Sequence, residues 1–322
     1  FMNCIDAGGP YCPCHLAETS DCILCSQLSG KEFCQCKDWC GVCIYDQYIA
    51  NGHRAKALRK TYTCTILEKH LSDKNLCIFT LKAPENLTRE LVYPGSFIFL
   101  RSVKNTNYYD VPISIMEADI DTSTLKVALK LSGSKTKNLF KLNEKDEVFM
   151  RGPFSNGIMG LSNIYKAKAG TSLIIARGIG IAPSIPVMKK LHANGNKVIS
   201  IIDREFDENF SEKYLDKYSS TVVYCNMMEG ENLTDKFKTI LNDLLTAENI
   251  NLVHCGGPDI LTYDILQLAD SSLNFSCCNN SKMNCGEGIC SSCTHHYKND
   301  VIKKFCKVQM DPRNLFKDRK FI

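Results

Sequence analysis

The sequence lacks the features that mark a membrane-spanning, exported or nucleic-acid-binding protein. No run of about 18 apolar residues occurs in its 322 residues, so no membrane span is predicted. The first residues contain no basic stretch followed by an apolar one, and we therefore predict no signal peptide. The formal net charge is only +4, which does not favour nucleic acid as a partner.

Histidine is scarce, with 7 residues, whereas cysteine is abundant, with 19. The cysteines are clustered, because nine precede residue 44 and six lie from Cys277 to Cys306. Disulfides would need an oxidising compartment, and structural thiols would be scattered along the chain. Clustering at short spacings therefore favours metal or iron–sulfur ligation. Thiolate ligands in turn predict a reducing, cytoplasmic location.

The most specific motif is a C-x4-C-x2-C sequence followed by a distant cysteine, the spacing of a plant-type 2Fe–2S site. Gly286 and Gly288 would let backbone amides approach the sulfur atoms. Zinc is the alternative, although it usually prefers C-x2-C pairs. Cys277 and Cys278 fit no ligand pattern and are interpreted as structural thiols. The candidate cluster ligands are Cys285, Cys290, Cys293 and Cys306.

Two further sets of four cysteines occupy the first 45 residues, and Cys4 is left over. Each set supplies enough thiolates for one tetrahedral zinc or one 4Fe–4S cluster, and both alternatives stay open. Apolar residues are few here, so we predict that residues 1–45 fold only with metal. The candidate ligands are Cys12, Cys14, Cys22 and Cys25 in the first set and Cys34, Cys36, Cys40 and Cys43 in the second.

The rest of the chain predicts a mixed fold, an antiparallel β-barrel followed by an α/β domain with a parallel sheet. Closely spaced segments rich in β-branched and aromatic residues are typical of a small barrel. Strands that alternate with helices indicate a parallel sheet. The predicted organisation is a cysteine-rich metal-binding module (1–45), a linker (46–60), the barrel (61–160), the α/β domain (161–273) and a 2Fe–2S lobe (274–322).

Two glycine-rich loops follow predicted strands of the α/β domain. In the first loop, glycines would let the phosphates of a nucleotide approach the backbone at the start of a helix. A G-x-G motif alone is also compatible with an ordinary strand–helix turn. The second loop would face the same crevice, at the carboxyl ends of the strands. The candidate residues are Arg177, Gly178, Gly180, Ala182, Pro183, Gly256, Gly257 and Pro258.

In combination, these segments resemble the ferredoxin–NADP reductase superfamily. The resemblance extends to iron–sulfur flavoprotein subunits of dihydroorotate dehydrogenases, and to related subunits of sulfide dehydrogenases and NADH-dependent ferredoxin–NADP oxidoreductases. The segments PGSF, PISI, GSKTK, GIGIAP and MNCGEGICSSC carry it, over about four-fifths of the chain. It implies FAD in the barrel, NAD(P)H on the α/β domain and a 2Fe–2S cluster facing a partner. The implied flavin residues are Pro112, Ile113, Ser114, Gly133, Lys135 and Thr136.

The resemblance implies an electron-transfer subunit that works with a partner oxidoreductase subunit in a hetero-oligomer. NAD(P)H would give a hydride to the flavin, and single electrons would then pass to the cluster. Such hydride transfer needs no protein acid or base, so no catalytic residue is predicted.

Four residues bear on the implied function. Val111 stands where the family usually has an arginine, which leaves a second hypothesis open, a non-catalytic iron–sulfur assembly subunit with an impaired flavin site. Arg177 is hypothesised to supply the missing positive charge. Asp203, at the end of a predicted strand, would repel a 2′-phosphate and slightly favours NAD over NADP, although Arg204 beside it weakens that argument.

Overall fold

The computed structural model describes residues 3–36, 39–205 and 210–320. The chain divides into two compact units. The terminal unit contains the described residues of Phe1–Lys60, Ser281–Met310 and Lys317–Ile322. The central unit contains those of Thr61–Asn280 and Asp311–Phe316. The domain boundaries given above stay predictions.

The regular elements are numbered in chain order. The strands are β1 (Thr61–Asp73), β2 (Leu76–Lys82), β3 (Phe97–Ser102), β4 (Val111–Asp119), β5 (Thr124–Lys130), β6 (Glu147–Phe154), β7 (Ile158–Met159), β8 (Thr171–Arg177), β9 (Lys197–Asp203), β10 (Thr221–Tyr224), β11 (Met228–Glu229), β12 (Asn232–Leu233), β13 (Ile250–Gly256), β14 (Phe275–Cys278), β15 (Thr294–Tyr297), β16 (Ile302–Lys304) and β17 (Arg319–Lys320). The helices are α1 (His15–Glu18), α2 (Ile44–Ala50), α3 (Glu85–Glu90), α4 (Ser134–Phe140), α5 (Leu161–Lys166), α6 (Ile181–Ala193), α7 (Glu212–Tyr218), α8 (Asp235–Ala247), α9 (Asp259–Leu268) and α10 (Arg313–Phe316). Short 3₁₀ turns occupy Gln27–Ser29, Asn107–Tyr109, Gly178–Gly180 and Lys298–Asp300.

The first half of the central unit is a closed antiparallel barrel with the strand order β1-β2-β5-β4-β3-β6. Apolar residues at alternate positions of the strands form the inner face of the barrel. In β5, Leu125, Val127 and Leu129 are fully buried, whereas Lys126 and Lys130 between and after them keep partial exposure. A period of two residues is what a strand with one face on the core requires. The predicted antiparallel barrel is confirmed.

The second half of the central unit is a six-stranded sheet with the order β10-β9-β8-β13-β14-β7. All neighbours are parallel except β7, which runs antiparallel to β14. In β8, Leu173, Ile174, Ile175 and Ala176 are all fully buried. An unbroken apolar run of this kind is typical of a parallel strand covered on both faces. The predicted α/β architecture is confirmed.

The terminal unit has little regular structure. Its strands form a small antiparallel sheet with the order β16-β15-β17. Its N-terminal part has a small core of five buried residues, two of which are cysteines. The core residues are Cys12, Ala17, Cys25, Leu28 and Ile44. None of the helices in the described ranges is long and apolar enough to cross a membrane.

Candidate functional site

A cavity of about 530 Å³ in the central unit is bounded by barrel strands β4 and β5 and by loops that follow β8 and β13. Ten of the residues predicted from the sequence line it: Pro112, Ile113, Ser114, Thr136, Arg177, Gly180, Ala182, Pro183, Gly257 and Pro258. The remaining four, Gly133, Lys135, Gly178 and Gly256, are neighbours of these in sequence but are not among the lining residues. The structure therefore gathers both predicted groups around one space.

The barrel side of the cavity explains the unusual residue at position 111. Strand β4 alternates, so that Val111, Ile113 and Ile115 belong to the barrel core, whereas Pro112 is exposed and Ser114 is half-buried. Val111 is only 9% exposed. An apolar residue fits this core position, and its side chain supplies no charge to the cavity.

Positive charge is nevertheless concentrated immediately before β4. The buried Asp110 carboxylate accepts hydrogen bonds from Arg101, at 2.8 Å, and from Arg151, at 3.5 Å. The Lys135 ammonium donates to the Asp110 backbone carbonyl at 3.2 Å. Two arginines therefore pair with the Asp110 carboxylate, and the lysine contacts the main chain of the same residue. The Nε of Arg101 is buried without a hydrogen-bond partner in the part of the chain that the structure describes.

Thr136 shapes the turn that opens helix α4. Its hydroxyl accepts hydrogen bonds from the backbone N–H groups of Ser132, at 3.0 Å, and Gly133, at 3.1 Å. The same hydroxyl donates to the Gly133 carbonyl at 3.1 Å. Thr136 therefore fixes the loop that borders the cavity between β5 and α4.

The two glycine-rich loops of the sheet pack directly against each other. A Cβ atom on Gly180 would lie 2.3 Å from the carbonyl oxygen of Gly256, and one on Gly256 would lie 2.4 Å from that of Gly180. Both obstacles are backbone atoms, which cannot rotate away as a side chain could. These two glycines are therefore required by the contact between the loops, in addition to any room they leave for a ligand.

Charged side chains that line or border the cavity form ion pairs with one another. The Arg177 Nε donates to the Asp203 carboxylate at 2.9 Å, and Asp203 also accepts from the backbone N–H of Met227 at 2.9 Å. Lys130 at the end of β5 forms an ion pair with Glu205, and both side chains line the cavity. Arg177 and Asp203, which the sequence analysis considered separately, therefore form one ion pair.

Cys278, Asn279 and Asn280 also line the cavity, and they were missed as site residues. Strand β14 pairs in parallel with β13, so its carboxyl end lies at the same edge of the sheet as the glycine-rich loops. The Asn280 amide donates to the Gly257 carbonyl at 2.8 Å. Burial raises the pKa of Cys278 to about 12, so its thiol stays protonated at neutral pH. A strand of only four residues was too short to be recognised from its pattern.

The cysteines of the C-terminal motif lie in the terminal unit, where backbone amides point at their sulfur atoms. The Cys285 sulfur accepts from the N–H groups of Glu287, at 3.3 Å, and Cys290, at 3.4 Å, and the Cys293 sulfur accepts from that of Cys306, at 3.4 Å. A hydrogen bond with the Cys306 side chain lowers the pKa of Cys293 to about 6 and raises that of Cys306. Backbone amides that donate to cysteine sulfurs are chemistry that iron–sulfur sites also use.

The N-terminal cysteines are grouped differently from the two sets in the sequence. Cys4, which had no assigned place, borders a cavity of about 20 Å³ together with Cys12, Cys14 and Cys22. The second set is exposed: Cys34, Cys36, Cys40 and Cys43. Burial raises the pKa of Cys12 to about 11 and also raises that of Cys4.

Across residues 3–36, 39–205 and 210–320, no three His, Cys, Asp or Glu side chains form a group that could hold a metal ion. Ligation of metal by the N-terminal cysteines, and of a cluster by the C-terminal ones, therefore stays a prediction.

No protein-family model matches the chain. The electron transfer subunit of dihydroorotate dehydrogenase B (NAD(+)) from Fusobacterium nucleatum is 28% identical over 242 residues, which cover 73% of this chain and 89% of that protein. The probable electron transfer subunit of the same enzyme from Pyrococcus abyssi is 27% identical over 205 residues, covering 62% of this chain and 72% of that protein.

Solved structures show the same fold. An NADH-dependent reduced ferredoxin–NADP oxidoreductase structure matches with a TM-score of 0.64 and 17% identity, over 82% of this chain and 90% of that chain. The ferredoxin–NADP⁺ reductase of Plasmodium falciparum matches with a TM-score of 0.51 and 16% identity, over 67% of this chain and 92% of that chain. The resemblance to the ferredoxin–NADP reductase superfamily, inferred from the sequence, is confirmed.

Proposed function

We propose that this chain is an electron-transfer subunit that moves electrons between NAD(P)H, FAD and a 2Fe–2S cluster, to or from a partner oxidoreductase subunit. The observation that carries the proposal is the single cavity of about 530 Å³ shared by the barrel and the glycine-rich loops of the sheet. Similarity to electron transfer subunits of dihydroorotate dehydrogenase B supports it.

The residues around the barrel side of the cavity fit a flavin. Strand β4 offers apolar surface, Ser114 and Thr136 offer hydroxyl groups, and Lys130 and Arg177 of the cavity lining carry positive charge for a pyrophosphate. FAD, when bound, would supply the exchange between electron pairs from a nicotinamide and single electrons for a cluster. The charge that Val111 lacks is therefore present nearby, which favours a functional flavin site over an impaired one.

The residues around the sheet side fit a nicotinamide nucleotide. Helix α6 begins at Ile181, directly after the Gly178–Gly180 turn, and its N-terminal amides would face nucleotide phosphates. Asp203 ends β9, where a carboxylate hydrogen-bonds a ribose 2′-hydroxyl in many dinucleotide sites. Because Arg177 already neutralises part of its charge, Asp203 favours NAD only slightly over NADP.

The cysteines of the terminal unit would hold the cluster, with Cys285, Cys290, Cys293 and Cys306 as ligands. A cytoplasmic location stays a prediction from the thiolate chemistry. Extraction of cofactors from the purified protein tests the proposal as a whole. Released FAD supports it, whereas a brown protein with iron and no flavin would favour a non-catalytic iron–sulfur subunit.

Replacing Arg177 by alanine is expected to weaken nucleotide binding, because Arg177 lines the cavity and its loss would leave the neighbouring Asp203 carboxylate without its ion-pair partner. We expect KM for NADH to rise by about tenfold, in line with the loss of a charge-assisted hydrogen bond of about 1.5 kcal/mol. Arg89→Ala, at an exposed arginine paired with Glu85 in the same unit, is the matched control. Unchanged KM together with unchanged flavin content would remove Arg177 from the site.

A further prediction concerns the N-terminal cysteines. We propose that residues 1–45 bind zinc or an additional iron–sulfur cluster, because so small a core needs metal for stability. Elemental analysis of the purified chain is expected to find zinc, or iron beyond the two atoms of one 2Fe–2S cluster. Absence of both metals, with these cysteines free or in disulfides, would contradict the idea.

A further inference from the structure

Four buried charges of alternating sign form a closed ring in the terminal unit. Arg59 donates to the carboxylates of Asp6 and Glu287, each at 2.6 Å. The Lys307 ammonium lies 2.5 Å from the Asp6 carboxylate and 3.3 Å from that of Glu287. None of the four side chains is more than 6% exposed.

The ring joins segments that are far apart in the sequence. Asp6 and Arg59 belong to the N-terminal segment, whereas Glu287 lies in the loop between Cys285 and Cys290. Lys307 directly follows Cys306. Each half of the ring therefore carries one acidic and one basic residue, and the Arg59–Glu287 and Asp6–Lys307 ion pairs join the two halves.

Backbone geometry directs Glu287 inward. Gly286 and Gly288, on either side of it, have φ values of 71° and 81°, which residues with a side chain rarely adopt. A Cβ atom on Gly288 would lie 3.2 Å from Leu16 of α1, so the loop rests directly on the N-terminal segment. Cys290 remains exposed while Glu287 is buried. The loop thus turns its carboxylate inside and a thiol outside.

The N-terminal segment is also held by main-chain hydrogen bonds. The N–H of Ile5 donates to the Lys307 carbonyl at 2.9 Å, and the N–H of Gln309 donates to the Asn3 carbonyl at 2.8 Å. Buried ion pairs contribute little net stability compared with apolar residues of similar size. Removing one partner is costly, however, because it leaves a buried charge uncompensated. Such a ring therefore specifies one geometry rather than adding stability.

We propose that Asp6, Arg59, Glu287 and Lys307 are positioning residues for the cluster-binding loop. Asp6 and Arg59 hold Glu287 and Lys307, and the N-terminal segment thereby sets where the loop from Cys285 to Cys290 and the residue Cys306 present their thiols. The proposal rests on the proposed function for its account of the cluster. Its effect on the loop backbone is measurable whether or not a cluster is bound.

The test compares the full-length variants Asp6→Asn, Arg59→Met and Asp6→Asn/Arg59→Met, none of which alters a cluster-ligand candidate. Hydrogen exchange in residues 3–7 and 285–290 is measured alongside iron per chain and the electron paramagnetic resonance (EPR) spectrum. Each single variant is expected to exchange on the order of 100-fold faster in both segments and to lose iron. The double variant keeps the neutral Glu287–Lys307 pair, so it should be less affected than either single variant.

Asp318→Asn is the matched control, because it removes the same kind of charge from the exposed Lys298–Asp318 pair of the same unit. Its exchange and iron content should equal those of the wild type. Faster exchange confined to residues 3–7, with residues 285–290 and the EPR spectrum unchanged, would overturn the proposal. The proposal would also be overturned if the increase in exchange rate and the loss of iron in the double variant equalled the sum of the effects of the two single variants. The wild-type protein could also turn out to bind no iron. If the single variants then still exchange faster in both segments, the result would support positioning of the loop and refute the proposed function.

Discussion

Replacing Cys290 by serine is expected to abolish electron transfer to one-electron acceptors while leaving reduction of the flavin by NADH intact. Serine is a harder and far less acidic ligand than a thiolate, so the variant should lose the 2Fe–2S cluster. Cys290 is exposed in the terminal unit, so the substitution leaves no buried cavity. In the proposed function, hydride transfer from NADH to the flavin takes place in the cavity of the central unit and does not involve the cluster. We expect onward transfer to fall by about 100-fold or more.

Stopped-flow absorbance separates the two steps, because flavin bleaching and acceptor reduction are recorded at different wavelengths. Ser291→Ala is the control, since Ser291 adjoins Cys290 in the same loop and is not a ligand candidate. If a protein acceptor is still reduced at the wild-type rate after the cluster's EPR signal has vanished, the cluster does not lie on the electron path.

Replacing Gly180 by alanine is expected to destabilise the central unit and to slow reduction by NADH. The new Cβ atom would lie 2.3 Å from the Gly256 carbonyl oxygen and 2.8 Å from the Gly257 nitrogen. Gly180 is the N-cap of α6, a position where glycine is also preferred over alanine. Separating the two packed loops costs about 1–3 kcal/mol and opens the cavity they border. We expect a Tm lower by about 5 °C and a clearly slower NADH-dependent bleaching of the flavin.

Gly133→Ala provides the comparison for stability. Gly133 has φ −172°, an extended backbone that any residue adopts, and no atom lies within 4 Å of a Cβ placed there. Thermal unfolding of this variant should match the wild type. A Gly180→Ala protein that melts at the wild-type temperature and accepts hydride at the wild-type rate would show that the contact between the loops has no functional weight.

The sequence was sufficient to predict the two halves of the central unit, because their patterns are local. The alternation in β5 indicates a strand with one buried face, and the apolar run of β8 indicates a strand with both faces buried. The loops at positions 178–180 and 256–258 were identified for their glycines, yet the reason those glycines are needed was not visible. Gly180 and Gly256 are distant in the chain, and only the fold brings their backbones into contact.

The terminal unit contains contacts that no local pattern indicates. The described N-terminal and C-terminal cysteine segments belong to one compact unit, and the spacing of the cysteines gives no sign of this. Cys4 had no partner in the spacing, although it borders the same small cavity as Cys12. The pairing of Asp6 with Lys307 spans almost the whole chain and has no local signature.

An anaerobic titration of the purified full-length protein with NADH tests the central claim most directly. Flavin absorbance and the EPR signal of the reduced cluster are followed in the same samples. The account predicts that NADH bleaches a bound FAD and that the signal of a reduced 2Fe–2S cluster appears as the flavin fills with electrons. A protein without flavin, or one whose flavin is fully reduced while the cluster signal never appears, would contradict it.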